Sequence, residues 1–188
     1  MNINNMNINI NINKSICITG KHNIDKINNI NTKDTDKEDS KAKRTHMETL
    51  ADSEITHKLQ IDMINNLYTN NEFNLKSLLE KELERKINGY KAQDIKKDIY
   101  DSALLITLDD IIEKLMSIKL RCFYCKLPIL ILYKNVREPS QWTLDRIDND
   151  KCHSKENTIV SCLKCNLQRR VTNIDKFTFT KHLKIKKV

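Results

Sequence analysis

Two pairs of cysteines carry the most chemistry in this chain. Cys122 and Cys125 enclose two residues, Cys162 and Cys165 enclose two more, and 36 residues separate the pairs. Each CxxC turn presents two thiolates to one ion, and two such turns complete a tetrahedral site of four sulfurs. A zinc ion held this way has no open coordination position, so its role is structural. Its binding energy, roughly 10–16 kcal/mol in small zinc peptides, then acts as folding energy. Cys17 and Cys152 have no partner at ligand spacing and read as free thiols.

Between the pairs runs Trp142-Thr-Leu-Asp145-Arg146-Ile147-Asp148-Asn149-Asp150-Lys-Cys-His153-Ser-Lys-Glu-Asn157, and Asn166 follows directly on the second pair. This combination of CxxC, a Leu-Asp-x-Ile-Asp strand end, Glu-Asn before a strand, and CxxC-Asn followed by basic residues resembles the HNH endonucleases. These are the ββα-metal nucleases, here in the zinc-stabilised form of phages, large DNA viruses and mobile elements. The resemblance covers about residues 120–180. It implies that Asp145 and Asn166 hold one divalent cation, Mg²⁺ or Mn²⁺, on the scissile phosphate, and that Asn157 braces the hairpin loop and orients the catalytic side chain. A hard, oxygen-ligated cation suits that task, because it neutralises charge building on phosphorus and on the departing 3′ oxygen.

At one position the chain departs from the family. Where the water-activating His usually follows the strand-end Asp, this sequence has Arg146. A guanidinium stays protonated below a pH of about 12, so it cannot act as a general base, although it can clamp a phosphate oxygen. Losing a general base costs roughly 10²–10⁴ in rate. His153, in the loop between the two strands, is the candidate substitute base; cleavage through another base, slow cleavage and no cleavage are the other outcomes open at this position. His22, His46, His57 and His182 read as surface residues, and Trp142 as a packing residue of the hairpin.

These side chains need a scaffold. After Leu120 the order is knuckle, strand (Trp142 to Ile147), polar loop, strand (Thr158 to Val160), and a helix from about Cys162 through Arg170. Upstream, Ile55, Leu59, Met63 and Leu67 recur every four residues and predict one helix. Phe73, Leu75, Leu78, Leu79, Leu83 and Ile87 line a second, ended by Asn88-Gly89. A third is expected from Asp94 to about Leu105, and Thr107 with Asp110 caps a fourth that carries Ile111, Leu115 and Ile118. The fold class expected is α+β: a helical region at 47–118, then a small zinc-stabilised ββα-metal module at 119–188. Residues 1–46 read as a disordered, low-complexity arm, since alternating Asn and Ile followed by mixed charge cannot bury enough surface to offset chain entropy.

The whole chain of 188 residues carries a net +8. Residues 1–118 hold 17 Lys and Arg against 19 Asp and Glu, a net −2, whereas residues 119–188 hold 16 against 6, a net +10. The positive field therefore belongs to the segment with the cysteines, where a polyanion is drawn. Arg146, Arg169, Arg170, Lys176 and Lys181 to Lys187 are the phosphate-contact candidates. No stretch of about 18 apolar residues is present, which argues against a membrane partner, and Met1 to Asn13 builds no continuous apolar core of a signal peptide. An intracellular, reducing location is expected, where six cysteines favour metal binding over disulfides. The function expected is hydrolysis of DNA phosphodiesters, with RNA left open. A lapsed HNH-fold module that binds nucleic acid without cutting it is the alternative. A zinc-stapled protein that docks a partner through residues 47–118 is the third reading.

Overall fold

Thr56 starts the first helix by accepting the Leu59 amide on its hydroxyl, and α1 then runs from His57–Tyr68. In this computed structural model the described residues are Lys21, 42–47 and 49–183; they form α2 (Lys76–Lys96), α3 (Leu108–Ser117), strands β1 (Trp142–Arg146) and β2 (Thr158–Cys162), α4 (Leu163–Arg169) and α5 (Ile174–His182), with short 3₁₀ turns at Thr45–Met47 and Asp52–Ile55. The fold is α+β. Most of the expected disordered arm lies outside the described residues. No helix among the described residues is long and apolar enough to cross a membrane.

The helix expected to stop at Asn88-Gly89 does not stop there, and the separate helix expected at Asp94–Leu105 does not form. α2 continues through Gly89 to Lys96. A mid-helix glycine costs about 1 kcal/mol relative to alanine. Two buried contacts beyond it offset that cost. Tyr90 hydroxyl accepts the Leu144 amide at 2.8 Å, and the Asp94 carboxylate is fully buried against His153. The helix closes instead at Asp98, whose φ of 57° is left-handed, as Ile99 N–H returns to the Asp94 carbonyl. Ile95 and Leu104, which suggested an apolar face for the third helix, are exposed.

α3 begins at the expected box: Thr107 Oγ1 accepts the Asp110 amide while the Asp110 carboxylate accepts the Thr107 amide. Residues 42–46, placed in the arm by composition, are ordered. Arg44 N–H bonds the Lys134 carbonyl and Val136 N–H the Ala42 carbonyl. The Arg44 guanidinium, over the Tyr133 ring, donates to Glu82 at 2.6 Å. Burial raises the Glu82 carboxyl, but Arg85, Arg44 and His46 outweigh it and hold the group at about 2.

The two strands pair antiparallel, with Trp142 opposite Cys162 and Arg146 opposite Thr158. Trp142 is sealed in the core, edge-to-face with Tyr90. One hydrophobic cluster joins Ile64 and Leu67 of α1, Leu79 and Leu83 of α2, Ile111 and Leu115 of α3, and Tyr124, Leu144 and Val160 of the hairpin region. The helical and basic segments thus share a core. α5 is an addition to the expected elements: Asn173 caps it, and Phe177 packs edge-to-face on Tyr124.

Candidate functional site

The knuckle at Cys122–Cys125 lies against the end of β2 and the start of α4, which carry the second cysteine pair. Cys162 N–H points at Cys122 Sγ (3.3 Å), Phe123 N–H at the Val160 carbonyl (3.0 Å), and Cys165 N–H at Cys162 Sγ (3.4 Å). The four Sγ atoms lie within 4.8 Å of one another, and Cys125 to Cys162 is 3.9 Å. A tetrahedral ion with bonds of about 2.3 Å to sulfur requires S–S edges of about 3.8 Å, so this cluster fits zinc. With the sulfurs this close, a hydrogen bond from Cys162 pulls the Cys122 thiol down and pushes Cys162 up, while burial raises Cys165. The four cysteines could hold one metal ion with no position left for a substrate.

A second centre lies between α2 and the hairpin. An open cavity of about 420 Å³ is lined by Asp145, Arg146, His153, Asn166 and Arg170 from the basic segment and by Arg85, Gly89, Tyr90 and Gln93 from α2. His153, expected in the loop between the two strands, is 3% exposed. Its Nδ1 lies 2.7 Å from Asp94 Oδ1, its own backbone N–H donates to Asp94 Oδ2 at 2.7 Å, and its ring stacks on Tyr90 at 4.7 Å. Burial lowers the imidazole below its ordinary value despite the carboxylate, which favours the neutral ring. Among the described residues Nε2 has no hydrogen-bond partner, and His153 is one of the residues that line the cavity.

Asn157 stands outside the cavity lining and ties the loop together. Its Oδ1 accepts the Asp148 amide, and its Nδ2 donates to the carbonyls of Asp148 and Cys152, both at 2.9 Å. Asn166 gives its Nδ2 hydrogens to Thr143 Oγ1 and to the Leu144 carbonyl. Because a carbonyl can only accept, this fixes the amide and leaves Oδ1 without a partner among the described residues.

Asp145 is not a solvated strand end. Tyr124 donates to its Oδ2 at 2.6 Å and Arg169 to its Oδ1 at 2.6 Å, and burial raises its carboxyl above the ordinary range. Arg169, expected to contact nucleic acid, is 2% exposed, and its remaining bonds go to the carbonyls of Arg146 and Ile147. Its charge is spent neutralising Asp145, so it is a structural ion-pair partner rather than a phosphate contact. Arg146 is also buried, with one amino group near Asp94 and the Lys151 carbonyl; its Nε and other amino group have no partner among the described residues, and the residue lines the cavity. Arg170 and Lys176 are exposed, Lys176 in the first turn of α5. Lys184, Lys186 and Lys187 lie outside the described residues.

Asp94, Tyr90 and Tyr124 carry no motif signal. Asp94 reads in sequence as a helix start, and only the continuation of α2 brings it to His153. Comparison with family models, with curated protein sequences and with solved structures returns no match for this chain.

Proposed function

We propose that this chain is a metal-dependent endonuclease of the HNH type that hydrolyses DNA phosphodiester bonds, with His153 as its general base. The observation that carries this reading is the imidazole of His153, held at Nδ1 by Asp94 and lining a cleft that also holds Asp145, Asn166 and basic side chains. An ordered, neutral imidazole with one bare nitrogen is the group a water molecule needs in order to lose a proton near neutral pH.

The donor atoms suit a hard cation. Asp145 keeps lone pairs on both oxygens beyond its bonds to Tyr124 and Arg169, and Asn166 offers an unpartnered amide oxygen. Those two residues would hold Mg²⁺ or Mn²⁺, whose chemistry is charge neutralisation on the phosphate. The rest is the work of the chain. Nε2 of His153 takes a proton from water as the water oxygen bonds to phosphorus. The P–O3′ bond breaks with its electron pair on O3′, which takes a proton from solvent. Asp94 stabilises the imidazolium that forms, and the free donors of Arg146 suit a phosphate oxygen.

One observation favours a second reading, a module that binds nucleic acid without cutting it: Asp145 is already bonded through both oxygens. Incubating the protein with supercoiled plasmid and Mg²⁺ or Mn²⁺, against an EDTA control, separates the two. Nicking that needs the metal is the expected result. No nicking with either ion, beside DNA binding that weakens steeply with salt, transfers the assignment to the binding module.

A further inference from the structure

We infer that Asp94, on helix α2 and outside the segment that resembles the nucleases, is the positioning residue for His153, which lines the cleft: its carboxylate sets which imidazole nitrogen carries the proton and leaves Nε2 with the lone pair. The inference rests on the nuclease reading for its functional meaning and on local geometry for its content.

Two nitrogens of His153 face the Asp94 carboxylate. The His153 backbone N–H can only donate, and it donates to Asp94 Oδ2 at 2.7 Å. The second oxygen, Oδ1, faces Nδ1 at 2.7 Å. A carboxylate only accepts, so a neutral ring in this place must carry its proton on Nδ1. Nε2 then holds the lone pair. The ring cannot swing away from that orientation. Tyr90 of α2 stacks on it, Ile106 N–H bonds the His153 carbonyl at 2.9 Å, and Asn157 fixes the neighbouring Lys151 and Cys152 carbonyls. The other charged groups facing the ring are Arg146 from β1 and Lys97 just beyond α2, both cations that oppose a second proton.

The same geometry states what an amide would do. In Asp94→Asn the single oxygen is claimed by the backbone N–H, which has no other way to be satisfied. The NH₂ group must then face Nδ1, which becomes an acceptor and sends the ring proton to Nε2. The base becomes a donor without loss of shape. Loss of such an orienting group typically lowers activity roughly 10–100-fold, and a wrong tautomer lowers it further.

The test is nitrogen NMR on the full chain labelled at the histidine ring, read above pH 7.5, beside plasmid nicking with Mg²⁺. The parent is expected to show protonated Nδ1 and bare Nε2 at His153, and Asp94→Asn to show the reverse, with nicking down at least 10-fold in kcat and KM little changed. His153→Ala assigns the signal. A parent ring protonated at Nε2, or a ring identical in the parent and Asp94→Asn, overturns the inference. Should Asp94→Asn fail to fold, the parent tautomer alone decides. If the tautomer reverses while neither protein nicks DNA, the positioning stands and the nuclease reading falls.

Discussion

Asp145 shows how burial changes what a single substitution tests. The carboxylate answers a guanidinium that is itself 2% exposed, and the Tyr124 hydroxyl donates to its other oxygen. Removing one member of a buried ion pair typically costs about 3–5 kcal/mol, because the remaining charge has no partner. Asp145→Ala is therefore expected to lower the melting temperature sharply. Asp145→Asn keeps an oxygen for Arg169 and turns its NH₂ toward Tyr124, whose hydroxyl oxygen can accept, so its melting temperature stays closer to the parent. Both should lose cation-dependent nicking, since an amide binds a divalent cation far more weakly than a carboxylate. Equal melting of the Ala and Asn variants would show that the pair carries no stability. The Asn form is thus the cleaner probe of chemistry.

At the scale of elements, α2 joins the two halves of the site. Leu79 and Leu83 anchor its first turns in the core, while Tyr90 and Asp94 deliver its last turns to β1 and to the loop carrying His153. Gly89 lies in the interior of that helix, and a Cβ built there meets nothing within 4 Å. Gly89→Ala should accordingly raise stability by about 0.5–1 kcal/mol through helix propensity and a less disordered unfolded chain, as measured by urea denaturation. A lower midpoint would mean that the helix breaks where Asn88-Gly89 suggests, and Asp94 would then lose its route to His153.

Among the described residues from 42 to 183, which belong to one compact unit, the core runs without interruption from α1 to the hairpin, and Cys122, Cys162 and Cys165 belong to it. A metal bound by the four cysteines therefore stabilises the helices as well as the knuckle. Metal analysis is expected to find about one zinc per chain. Removing it with a chelator should lower the melting of the helical signal in circular dichroism, together with any probe at Trp142, in one transition. Helices that melt unchanged after chelation, or protein that holds no zinc, would contradict this.

The division between what the sequence determined and what the tertiary structure decided follows from the range of the forces. CxxC spacing, the Thr107–Asp110 cap and the two short strand segments flanking a polar loop act within a few residues, so they are legible in the chain and reappear as the four-sulfur cluster, the start of α3, and β1 paired with β2. α2 passes the stop that Asn88-Gly89 suggests because Gly89 carries only a local preference, worth about 1 kcal/mol, and contacts made 54 and 59 residues away outweigh it. Ordering of residues 42–46 likewise comes from Lys134, Val136 and Glu82, far along the chain. Charge patterning placed Arg169 among the phosphate contacts because sequence reports that a residue is basic, not whether its partner is solvent or a buried carboxylate. His153 was visible as a loop histidine, but the atom it leaves bare is set by Asp94. That choice needs two segments brought to 2.7 Å, a distance only the folded chain supplies.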